Sequence, residues 1–185
     1  MRQSRLSSLN FMALCCVLGL FTKKLINPVA NVITDSLHIP GGISAGFSIM
    51  FLVMAAEIVR GGSRSAANPW RHCGALMGAV QGLLALCLGR IGSMGLLAPL
   101  GFFMPGVAID VVYGLSGRFG LNRTERMVFA NALAAVMASV TANVIVFRLW
   151  GPVLFLYLCV SAVSGTVYGF LGAVVAGRLP KACLS

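Results

Sequence analysis

The chain has 185 residues, 58% of them apolar and 10% charged, with a mean hydropathy of +0.93. A soluble fold keeps roughly a quarter of its residues charged to face water, so this composition excludes one and points to an integral membrane protein with a single domain, 1–185. Fourteen basic against four acidic residues give a net charge of +10, but the basic residues are spread one to three per loop, which excludes nucleic acid as a partner and marks them as topology signals and contacts to membrane lipid.

The first apolar run covers about Leu9 to Phe21 and stops at Lys23-Lys24. Arg2 and Arg5 ahead of it also fit a secretory signal. No small-x-small site follows Phe21, however, and Ala13-Leu14-Cys15 puts a bulky Leu where lipoprotein cleavage needs a small residue, so the run is expected to stay as a span.

Leu25 to Leu37 is apolar but broken by Asn27, Pro28, Asn31 and Asp35, and is not counted as a span. Asn27 before Pro28 is a helix-start signal, and Pro40-Gly41-Gly42 is a stop. Between them Asn27, Asn31, Asp35 and His38 recur at four, four and three residues. On a helix that spacing makes one polar stripe, with Val29, Val32, Ile33 and Leu37 on other faces. The expected element is a short amphipathic helix in the first outer loop, acting as a lid or re-entrant piece. A helix merely floating at the headgroups would favour Lys or Arg along its polar face. This one offers two amides, a carboxylate and an imidazole, groups that recognise a solute.

Further spans are expected at about Ile43 to Val59, Cys73 to Leu88, Leu96 to Leu115, Met127 to Leu149 and Val153 to Ala176. Backbone groups in lipid must pair internally, and no alternating ten-residue pattern suggests a barrel. The expected fold is therefore all-α, a compact bundle of six transmembrane helices. With six spans, Arg2, Arg5, Arg60, Arg64, Arg71, Arg118, Arg123, Arg126, Arg178 and Lys181 share one side, against Lys23, Lys24, Arg90 and Arg148 on the other. That asymmetry puts both termini in the cytoplasm of a multi-pass cell-membrane protein.

Polar residues inside the spans are costly against lipid and are expected to face the bundle interior. Gln81 lies mid-span in the third helix, Asn143 near the outer end of the fifth, and Asp110 with Tyr113 near the inner end of the fourth. Pro99 and Pro105 are expected to interrupt that fourth helix and free carbonyls. Asn131, Ser139, Ser161, Ser164 and Thr166 read as interhelical hydrogen bonds of about 0.6 kcal/mol each. Small residues recur every four positions at Gly74, Gly78 and Gly82, at Ala130, Ala134, Ala138 and Ala142, and at Gly165, Gly169, Ala173 and Gly177. Such faces let helices approach closely.

The six cysteines form no C-x-x-C pair and suit neither a disulfide framework nor a metal site. There is no Walker A sequence, no G-x-S-x-G and no H-E-x-x-H, and the four carboxylates are scattered. No catalysis and no cofactor are expected; solute binding or transport is the default.

Six spans, both termini inside, the stretch Asn27-Pro28-Val29-Ala30-Asn31 through Asp35 into Ile39-Pro40-Gly41-Gly42, and Met104-Pro105-Gly106-Val107-Ala108-Ile109-Asp110 together resemble the substrate-binding S components of energy-coupling factor (ECF) transporters. The resemblance implies capture of a small vitamin-like solute near the outer face, with a transmembrane coupling subunit and ATPase subunits as partners. Joined to the polar residues above, it gives Asn27, Asn31, Asp35, His38, Gln81, Asn143, Trp150 and Tyr157 as the candidate substrate contacts. The family often carries Ala-x-x-x-Ala on its first helix for docking the coupling subunit; here Ala13 is followed at four residues by Val17. His38-Ile39-Pro40 also resembles the start of the cobalt and nickel relatives, but it is internal and followed by Gly41 where those have Asp. A structural or accessory scaffold that docks through its small-residue faces is the reading from a different class.

Overall fold

A computed structural model describes residues 2–37, 43–61, 70–89, 95, 97–146, 148 and 150–178, with side chains described except at 2–5, 23, 24, 26–37, 43, 44, 61 and 146. Among the described residues the chain is all-helical, without a strand. Six helices follow one another: α1 (Arg2–Leu37), α2 (Ile43–Gly61), α3 (Cys73–Cys87), α4 (Ala98–Phe119), α5 (Arg123–Val140), which passes into a π-helical segment (Thr141–Val146), and α6 (Pro152–Arg178).

Among the described residues three stretches are long and apolar enough to cross a membrane: Ala98–Phe119, Arg123–Ile145 and Pro152–Arg178. Leu6–Thr22 and Cys73–Cys87 are apolar but shorter. Large apolar side chains on the outside of the bundle, including Phe119, Phe155, Phe170 and Val163, are consistent with a lipid surround.

α2 is the centre of the bundle and touches each of the other five helices. Its sequence allows this because it is apolar on nearly every side: Leu52, Val53, Ala55 and Ala56 are all 2% exposed or less. Around it α3 packs on α4, α5 on α6, and α1 on α2 and α3.

The α3–α4 seam is set by glycine. A methyl group on Gly74 would stand 2.5 Å from the Gly106 carbonyl oxygen, one on Gly78 2.5 Å from the Phe102 carbonyl oxygen, and one on Gly82 2.8 Å from the Pro99 Cα. Backbone therefore lies on backbone over two full turns. On α6, Gly165 abuts Ala132 and Ala135, and Gly169 abuts Val128 and Asn131. The α6 glycine face is thus an interior seam as expected up to Gly169, whereas Gly177 faces open space. It meets α5 on the Val128–Asn131–Ala135 side, not on the alanine row at four-residue spacing.

Two expectations are corrected. Residues 25–37 are not a separate helix in a loop: α1 runs unbroken for 36 residues through Asn27 and Pro28. Proline fits a first turn best, but inside a helix it costs a single backbone hydrogen bond and a local clash, and here the helix continues past it. Nor do the prolines interrupt α4. Pro99 sits in its first turn, where no amide partner is needed, and Pro105 lies buried inside an unbroken 22-residue helix.

Candidate functional site

Polar side chains gather in two places, at opposite ends of the bundle. The first is where α2, α4 and α6 finish and α3 and α5 begin. Glu57, in the last turns of α2, is 4% exposed. Its carboxylate accepts two hydrogen bonds from Arg126 on α5, at 3.0 Å from Nε and 2.6 Å from the second guanidinium nitrogen, and lies 3.4 Å from Arg123 Nε. This fork-to-fork geometry is the strong form of an arginine–carboxylate pair. One turn on, Arg60 pairs with Asp110 of α4, donates to the Arg71 carbonyl, and lies 3.3 Å from Cys73 Sγ.

Asp110 also accepts the amide of Gly74 at 3.0 Å and of Ala75 at 2.8 Å. Those amides belong to the first turn of α3, where no intrahelical partner exists, and His72, at the helix N-cap, gives no side-chain cap. A carboxylate from another helix thus does the work of a local cap, and the helix dipole favours its charge. Tyr113, one turn further along α4, carries the guanidinium carbons of Arg60 and Arg126 at 5.0 and 5.3 Å from its ring centre and donates to the Val53 carbonyl at 3.4 Å. Arg123 donates to the Ala176 carbonyl at 3.2 Å, joining the end of α6. Five helices meet in this joint. All its charges are engaged with each other, so its chemistry is that of a structural clamp.

The second place is the opposite half of α5 and α6. Ser139, Thr141, Asn143, Ser161 and Ser164 are all buried there, at 8% exposure or less. Asn143 stands in the π-helical segment and donates to both the carbonyl and the hydroxyl of Ser139, at 2.9 and 3.1 Å. Thr141 donates to the Met137 carbonyl at 2.7 Å. A π-helical turn widens the helix by one residue and is frequent at functional sites. Deeper in, Asn131 is fully buried and donates to Gly46 of α2 and Gly165 of α6, at 3.2 and 2.7 Å.

The residues expected to contact a solute fall as follows. Gln81 is buried and donates to the Cys16 carbonyl at 3.0 Å, holding α3 to α1. Asn143 turns back on its own helix, so these two amides share no partner. Trp150 is 73% exposed just before α6, and Tyr157 is half-buried two turns into it, both at the Asn143 end. Asn27, Asn31 and Asp35 lie on the helical backbone of α1 at four-residue spacing; their side chains, and all of His38, fall outside the described residues. Among the described residues no group of three His, Cys, Asp or Glu could hold a metal ion.

Glu57 and the role of its arginine partners were missed from the sequence. The signal was present: a lone carboxylate in the apolar run Met54-Ala55-Ala56-Glu57-Ile58-Val59 has to find a partner. No protein-family model, no curated protein and no solved structure matches the chain.

Proposed function

We propose that this chain is a six-span membrane subunit that captures a small polar solute, working as the S component of an ECF-type uptake transporter. The Glu57 end faces the cytoplasm and the Asn143 end faces outward. The observation that carries the reading is the π-helical segment Thr141–Val146, with Ser139, Thr141 and Asn143 buried at and beside it. It holds neutral hydrogen-bonding groups inside the bundle, away from the charged joint and at the end where Trp150 and Tyr157 also stand. Neutral amides, hydroxyls and aromatic rings suit an uncharged heterocyclic solute of vitamin size. Asn27, Asn31 and Asp35 recur at four-residue spacing on α1 beyond its apolar stretch Leu6–Thr22, and on this reading they contribute to capture.

The chain has no nucleotide-binding motif and few acids, so concentration of solute requires a coupling subunit and ATPases as partners. The scaffold reading loses its main feature, because the Gly74, Gly78 and Gly82 face is consumed between α3 and α4.

Mass spectrometry of the purified protein should find a co-purifying small molecule. Vesicles holding this chain alone should bind that molecule without accumulating it. Accumulation driven by a proton or sodium gradient, with no ATPase present, overturns the ECF reading.

A further inference from the structure

The charged joint at the Glu57 end is engaged but not balanced. Three guanidiniums, those of Arg60, Arg123 and Arg126, face two carboxylates, Glu57 and Asp110. Arg60 and Asp110 neutralise each other, and Arg126 already takes both oxygens of Glu57. The surplus charge therefore rests on Arg123, whose side chain is 49% exposed, against 12% for Arg60 and 25% for Arg126. Arg123 Nε lies 3.4 Å from Glu57, and one terminal nitrogen donates to the Ala176 carbonyl at 3.2 Å. A guanidinium has five N–H donors, so these two contacts leave donors for its exposed side.

This place is level with the ends of three apolar spans, which finish at Phe119 on α4, start at Arg123 on α5 and finish at Arg178 on α6. On α6 the exposed Leu171, Val174 and Val175 lie seven, four and three residues before Arg178, so one apolar ridge runs up to that arginine. On α4 the exposed Leu115 lies three residues before Arg118, and Phe119, 71% exposed, follows it. Arg118 and Arg178 are themselves exposed and have no ion-pair partner among the described residues. The bond from Arg123 to Ala176 ties the surplus guanidinium to the end of the α6 ridge. Glu125 does not neutralise it: that carboxylate accepts the Asn122 amide at 2.9 Å, and residues two apart on a helix do not share a face.

We propose that the exposed edge of Arg123 binds the phosphate of an anionic phospholipid, whose acyl chains lie along the neighbouring apolar ridges. The planar fork of a guanidinium matches phosphate oxygens, and one phosphate completes the charge balance of the joint. Arg118 and Arg178 strengthen the positive field there and need not touch the same headgroup. A soluble anion would satisfy the guanidinium alone, whereas a phospholipid also covers the apolar side chains at the same level. The inference needs only that α4, α5 and α6 span the membrane; neither solute capture nor the direction of insertion enters it.

The test uses the full chain in nanodiscs of phosphatidylcholine, alone or mixed with phosphatidylglycerol, as wild type, Arg123→Gln and Arg123→Lys. Arg126 still holds Glu57 in both variants, so they should fold. Native mass spectrometry reads which lipid stays with the protein on release from the disc. Wild type should retain phosphatidylglycerol over phosphatidylcholine. Arg123→Gln should lower that preference about 5-fold, the effect of one basic side chain near an anionic surface, and Arg123→Lys, which keeps the charge, should recover part of it. The Arg123 Nε–H resonance of wild type gives a reading that does not depend on any variant: it should shift when phosphatidylglycerol is added to the discs. An equal shift with glycerol phosphate in solution, or with a glutamate-rich peptide, would make the ligand a soluble anion or an acidic protein and overturn the lipid site. So would the absence of any lipid preference in wild type, or a preference that Arg123→Gln leaves intact.

Discussion

Asp110 on α4 accepts the backbone amide of Ala75 on α3 at 2.8 Å, so one helix caps the one before it across 35 residues of chain. The same carboxylate neutralises Arg60 from α2. Removing it strands a guanidinium that is 12% exposed and opens the first turn of α3.

Asp110→Ala is therefore expected to cost about 3 to 5 kcal/mol, the usual loss when one partner of a buried pair is deleted. Thermal unfolding in detergent should show a midpoint lower by on the order of 10 °C. Adding Arg60→Met should recover part of that loss, since no unpaired charge remains. A double variant less stable than Asp110→Ala alone would mean that Arg60 gains most from Arg71, Cys73 and Tyr113.

Arg126→Lys keeps the charge beside Glu57 but loses the two-pronged contact. Lysine is a point donor and cannot hold both carboxylate oxygens in a fixed plane. The expectation is a loss of about 1 to 2 kcal/mol, less than for Arg126→Ala, read from the same unfolding curves. Equal losses for the two variants would show that geometry matters here and charge does not.

Gly74→Ala should disrupt the α3–α4 seam, because its new methyl meets the backbone carbonyl of Gly106 and no flexible side chain can move aside. Gly114→Ala on α4 has open space around it, and in a helix interior the change should stabilise by up to about 1 kcal/mol. The two substitutions are chemically identical, so opposite signs in the thermal midpoint isolate the seam. A neutral Gly74→Ala would contradict the close approach.

For the polar row of α1, Asn31→Ala and Asp35→Ala should each weaken capture of the co-purifying solute by roughly 5- to 150-fold, the equivalent of one buried hydrogen bond. Val32→Ala, on another face of the same helix, should change affinity much less. Calorimetric titration of the three variants checks this. Unchanged affinity in both polar variants takes α1 out of the binding site.

Orientation is tested by reporter fusions. One placed at Gly120, between α4 and α5, should report cytoplasmic, and one near Gly92 should report external. The reverse result would put the arginine-rich joint outside the cell and overturn the direction of capture.

The positions of the helices were legible because apolar runs of 13 residues and more, bounded by charge and glycine, leave few alternatives. The continuity of α1 was not. Asn27-Pro28 opens a helix and passes through one with the same local sequence, and only the surroundings decide which. Gln81 and Asn143 were legible as inward-facing, but their partners were not, since a buried amide reveals its need for a hydrogen bond and not its source. The joint around Glu57 was hardest to see. Its members are spread over 70 residues of chain, and each basic residue sits where a topology signal also belongs. The lone acid in an apolar run was the one mark that those arginines had a second role.

The spacing of that joint along the chain bears on how the protein is made. Glu57 emerges from the ribosome 66 residues ahead of Arg123 and 69 ahead of Arg126. Until α5 arrives, α2 carries a carboxylate without its arginine partners, which the membrane does not tolerate cheaply. Asn131 reaches Gly46 across 85 residues, so the central helix also waits for its hydrogen bonds. A chain stopped before Arg123 thus leaves the Glu57 carboxylate of α2 without the two guanidiniums that neutralise it, and the arrival of α5 completes the joint.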